Sequence, residues 1–147
     1  MKRLYIISNL VIIFLVVFSG SAFACDIRLE LKDDSGSITS ISPDKPVIIQ
    51  RDQVYTLIVT FRPDHGNCLV PAGDTIFLAD EEKWKTNKDY LPLQLLNSIS
   101  WQEVSRGVYQ TEIKFKAAKS GSWELEIIRE CTKGGYDEFY VFKIQSS

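Results

Sequence analysis

Apolar and polar residues alternate with period two along most of this chain, and turn signals separate the runs. "DIRLELK" sets Ile27, Leu29 and Leu31 on one face, with "DDSGS" following as a turn. "ITSIS" and "PVIIQ" are short extended pieces around Pro43 and Pro46. "VYTLIVTF" (54–61) is apolar on both faces and rich in β-branched and aromatic residues, which predicts a central strand. After the loop "RPDHGNCLVPAG", "DTIFLAD" (74–80) is extended and "EEKWKTNKD" is polar, while "LPLQLL" and "ISWQEV" predict two further short strands.

The last third alternates most clearly. "VYQTEIKFKA" places Tyr109, Ile113, Phe115 and Ala117 on one side and Gln110, Glu112, Lys114 and Lys116 on the other. "WELEIIREC" repeats the device with Trp123, Leu125 and Ile127 inward, "TKGGYD" (132–137) predicts a Gly-Gly hairpin, and "EFYVFKI" closes the chain. No segment of eleven or more residues carries helical periodicity. Seven or eight short strands with turns every 8–12 residues predict an all-β, immunoglobulin-like antiparallel β-sandwich, with a small closed β-barrel as the alternative.

Residues 1–24 stand apart from this pattern. Lys2 and Arg3 precede the apolar run Leu10–Phe18, and Ala22 and Ala24 have the small-residue spacing of an export cleavage site. They predict a signal peptide, a single domain over 25–147, and a periplasmic or secreted location. Cleavage there would leave Cys25 first, which raises lipidation of Cys25; Ala22 and Phe23 depart from the usual Leu and small residue of that motif. Of the 17 lysines and arginines two lie in this segment, leaving 15 against 19 aspartates and glutamates, a net charge of −4. With no basic tract, nucleic acid is a poor partner, and a membrane is expected only if Cys25 is lipidated.

"GVYQTEIKFKAAKSGSWELEI" (107–127), a hairpin and "FYVFKI" together resemble the second half of small exported Ig-like domains of the YtkA-like and FixH-like type, and "PVIIQRDQVYTLIVTF" is similar to their first half. The resemblance spans about 80 residues of core and turn positions. It implies a small periplasmic accessory domain, sometimes near metal or redox machinery, and carries over no functional residue. The only methionine is the first residue, so a methionine-rich metal-binding pattern is absent.

In such a sandwich the loop after 54–61 and the hairpin at 132–137 emerge at the same end. If "DIRLELK" runs antiparallel to 54–61, its start lies there too, so Cys25, His65, Cys68 and Cys131 converge on one pole; an extra strand between 38 and 50 would reverse that last step. Three chemistries fit. A Cys68–Cys131 disulfide would close 62 intervening residues, worth nominally about 4 kcal/mol of chain entropy, and leaves Cys25 over. Alternatively His65, Cys68, Cys131 and Cys25 could hold a soft metal, copper or zinc. A third reading makes Cys68 a nucleophile with His65 as base, for which the sequence supplies neither an orienting group nor an oxyanion hole.

Asp64, His65, Lys133 and Tyr136 form the expected interaction surface, and the charges of "RECTKGGYDE" read either as part of it or as a solvated hairpin that discourages edge pairing. Trp123 is expected in the core. Trp84, within "DEEKWK", is either an exposed ligand contact or folded onto the sandwich. The function expected is a non-enzymatic accessory or interaction domain of the bacterial envelope, without a cofactor and with an envelope protein as partner. The alternative is a metal-binding or metal-delivery module.

Overall fold

The computed structural model describes residues 25–63, 69–131 and 134–146. Residues 1–24 therefore lie outside it, and with them the signal-peptide reading. Two sheets pack face to face. The first runs β2 (Ile38–Ile41), β1 (Cys25–Lys32), β4 (Val54–Pro63), β9 (Val108–Ala117) and β7 (Leu93–Leu95), with β8 (Gln102–Ser105) also paired to β9. The second runs β3 (Val47–Gln50), β11 (Tyr136–Gln145), β10 (Gly121–Arg129), β5 (Ile76–Ala79) and β6 (Glu82–Lys83). All pairings are antiparallel except β3 with β11. This is the Ig-like β-sandwich that the alternation predicts.

The described residues form eleven strands rather than seven or eight. The surplus consists of short edge pieces: β7 and β8 divide the far edge of β9 between them, and Asp80 and Glu81, both at positive φ, turn β5 into the two-residue β6. Pro43 and Pro46 flank the crossing from β2 in one sheet to β3 in the other. β4, apolar on both faces, is central between β1 and β9.

Period two decides what is buried. Leu57 and Val59 of β4, Ile113 and Phe115 of β9, Leu125 and Ile127 of β10 and Phe142 of β11 are fully enclosed. Each such side chain contributes roughly 1.5–3 kcal/mol by leaving water. Phe115 meets Phe142 edge-on at 5.9 Å, joining the two sheets. Trp123 is half-buried against this core and donates from its indole to the Lys119 carbonyl at 2.9 Å. Trp84 resolves in favour of the sandwich: it is buried, tilted on Phe115, and its Nε1 donates to the Leu93 carbonyl at 2.7 Å.

Candidate functional site at the cysteine pole

β1 starts at Cys25 directly opposite Pro63, the last residue of β4. β10 ends at Arg129 opposite Tyr136, the first residue of β11. The strands between 38 and 50 do not disturb this, because β2 adds outside β1 and β3 adds to the other sheet. Cys25, buried among Phe61 and Ala72, thus shares one apolar cluster with Cys131, and Ile27, Trp101, Tyr109 and Tyr136 pack around it. The expected gathering of these two cysteines at one pole holds. Asp64, His65, Cys68 and Lys133 lie outside the described residues, so the Cys68–Cys131 bridge and the four-residue metal set do too. Among the described residues no group of three or more His, Cys, Asp or Glu side chains could hold a metal ion.

β10 is shorter than the sequence suggests: Cys131 lies beyond it, half-buried. The inward position at the strand's end belongs instead to Arg129. Expected with the hairpin charges, either on the interaction surface or in solvent, it is instead 1% exposed. Its guanidinium donates through one terminal nitrogen to the Pro71 carbonyl at 2.8 Å and to Thr75 Oγ1 at 3.1 Å, and through the other to the Val70 carbonyl. Its carbon sits 3.9 Å from the centre of the Phe61 ring. A buried cation is costly unless acceptors surround it. Here backbone dipoles and an aromatic face do so, and the planar fork of arginine suits several acceptors at once.

The result is a clamp. Residues 70–75 have no regular structure beyond the 3-10 turn Ala72–Asp74, yet they are tied to the sheet through Arg129, and Thr75 Oγ1 also donates to the Ala72 carbonyl at 2.8 Å. Leu69, one residue before the clamped carbonyls, is 93% exposed. Trp101 closes the cluster from the side, stacked on Phe77 and edge-on to Phe61.

The hairpin side is equally determined. Gly134 and Gly135 both have positive φ, and a Cβ on Gly135 would stand 2.7 Å from the Arg129 carbonyl, so the Gly-Gly pair is required. Tyr136, expected on the interaction surface, is half-buried there and its hydroxyl is hydrogen-bonded to that of Tyr140. Burial first, then the Tyr140 hydroxyl, then the charges of Glu138 and Asp26 push the Tyr136 hydroxyl far above the usual phenol range, so it stays protonated.

Reasoning from the sequence missed Arg129 as a buried group and Leu69 as a displayed one. A signal for the first was present, since Arg129 has the same strand parity as Leu125 and Ile127. Nothing in the alternation marks Leu69.

No protein-family model matches the chain, and no curated protein matches it. Among solved structures it is similar to the Ig-like domain (615–713) of human Obscurin-like protein 1, with 16% identity and a TM-score of 0.43 over 88% of this chain and 93% of that one.

Proposed function

We propose that this chain is an exported, non-enzymatic interaction domain of the bacterial envelope that engages a protein partner through its cysteine pole. The observation that carries the reading is an exposed leucine, Leu69, on a segment whose next carbonyls are gripped by a buried guanidinium. An apolar side chain held out to water on a fixed backbone loses little entropy when a partner covers it. Asp64, His65, Cys68 and Lys133, which the sequence assigns to the same surface, are part of this proposal. A Cys68–Cys131 disulfide would pin the pole further, while Cys25 is enclosed by Phe61 and Ala72. That enclosure supports a buried thiol over a lipid anchor. The likeness to YtkA-like and FixH-like exported domains agrees with an accessory role.

The test is photocrosslinking in the native envelope. A benzophenone side chain at position 69 or 133 is expected to yield one discrete protein adduct, and the same group at Lys119, in the turn at the opposite end, is expected to yield none. Leu69→Asp should reduce the adduct at 133 severalfold without changing thermal stability. Equal labelling from both ends, or none from the pole, overturns the reading.

A further inference from the structure

Both sheets end short on one flank of the sandwich. β3 covers β11 only over Phe142–Gln145. Tyr136–Val141 is therefore paired with β10 on one side, and no described strand lies on the other. In the facing sheet β2 covers β1 only from Leu29 to Lys32, which leaves Asp26–Arg28 without a described strand outside it. Between these two open edges lies a groove of about 540 Å³, lined among others by Ile27, Leu29, Ile41, Tyr136, Glu138 and Tyr140. Its lining mixes apolar side chains with Arg28, Glu30, Ser40, Ser42, Thr60 and Glu138, and β11 runs along its rim.

An exposed sheet edge is a template for another strand. The charge of this one selects among candidates. Asp137 and Glu138 lie on the β11 edge and Glu30 lines the groove from β1. The Arg28 guanidinium is turned onto Asp26, at 3.2 Å. A second copy adding its own β11 would bring its Asp137 and Glu138 close to those of the first, an unfavourable gathering of like charge. A strand that turns a cation into the groove meets Glu138 and Glu30 instead, beside Ile27, Tyr136 and Tyr140 on the same lining.

We propose that the notch between β1 and β11 accepts an extended, lysine- or arginine-bearing segment of a partner protein as an added strand along Tyr136–Val141. Six residues of edge receive about 20 Å of extended chain. The notch names how the partner of the interaction reading is held, and it rests on that reading.

The test is a titration of the 15N-labelled protein with the acetylated, amidated hexapeptide Thr-Lys-Val-Lys-Val-Thr up to several millimolar. Amide shifts are expected at Asp26–Glu30 and Tyr136–Val141. The peptide with Glu in place of Lys is expected to bind about tenfold more weakly, a backbone N-methylated peptide not at all, and Glu138→Lys should reverse the preference between the Lys and Glu peptides. Absence of shifts, shifts elsewhere, undiminished binding of the N-methylated peptide, or peptide-free dimerisation through the same amides would each overturn the proposal. The two readings fail separately. A silent titration with crosslinks intact at 69 and 133 removes the notch alone, and peptide binding without crosslinks removes the pole.

Discussion

The connections on either side of β5 are fastened in opposite directions. After β5 the chain supplies its own anchor: Trp84 leaves the charged run "DEEKWK", enters the core, and donates to the Leu93 carbonyl. Before β5 the anchor comes from the sheet, where Arg129 of β10 reaches out to the carbonyls of Val70 and Pro71 and to Thr75. A loop that buries its own side chain spends that side chain on stability. Where residues 70 and 71 are held by their carbonyls, the neighbouring Leu69 is not needed to fix the chain, and it stands in water. Rigid backbone with free side chains is what a recognition loop needs.

The largest expected effect tests the clamp. Arg129→Met removes the hydrogen bonds of a charged donor to the Val70 and Pro71 carbonyls and to Thr75, together with its stacking on Phe61, and is expected to lower stability by about 3–5 kcal/mol in denaturant unfolding. Amide exchange at 70–75 should accelerate beyond what global unfolding explains. Lost stability with unchanged local exchange would mean that the guanidinium supports the core rather than the loop.

A smaller loss is expected on the other side of β5. Trp84→Phe keeps most of the apolar contact but removes the donor to Leu93, costing about 1–3 kcal/mol, with exchange raised near 84–93 and unchanged at 70–75. Loosening of both connections by either substitution would abolish the contrast.

The smallest effect concerns the outer face of the second sheet. Burial, then Asp137, then neighbouring glutamates raise the Glu126 carboxyl above its usual range. Its ionised form is therefore worse off folded than unfolded, and it costs stability at neutral pH. Glu126→Gln should raise the melting temperature slightly at pH 7, the gain vanishing below about pH 4 as the native carboxyl becomes protonated in both states. Asp52 beside Lys116 and Glu82 beside Lys88 are shifted down. The stability they lend is present above the same pH and is lost as pH falls. A uniform rise from Glu126→Gln across pH 3–7 would contradict the electrostatic account.

Much of the sandwich was legible because its core obeys one periodicity. Ile113 and Phe115, and Leu125 and Ile127, have a polar residue between them and burial follows that alternation, whereas β4 buries Ile58 along with Leu57 and Val59. The shared pole of Cys25 and Cys131 followed from strand direction alone. Arg129 did not, because its acceptors lie 54–59 residues away in a segment without pattern, and charge outweighs parity when acceptors are unseen. Trp84 was ambiguous for a related reason: its fate depends on the Leu93 carbonyl at the start of β7. The open flank was hidden because it depends on where β2 and β3 stop, which the turns around Pro43 and Pro46 decide.

Strand order brings Cys25 and Cys131 to one tip, and the proposed function adds a bridge from Cys131 to Cys68. Intact mass of the non-reduced protein before and after alkylation, followed by peptide mapping, tests this most directly. The expected result is a mass about 2 Da below the thiol form and a bridge joining the peptides that carry Cys68 and Cys131. Three reactive thiols together with bound zinc or copper would contradict the account and turn the pole into a metal centre.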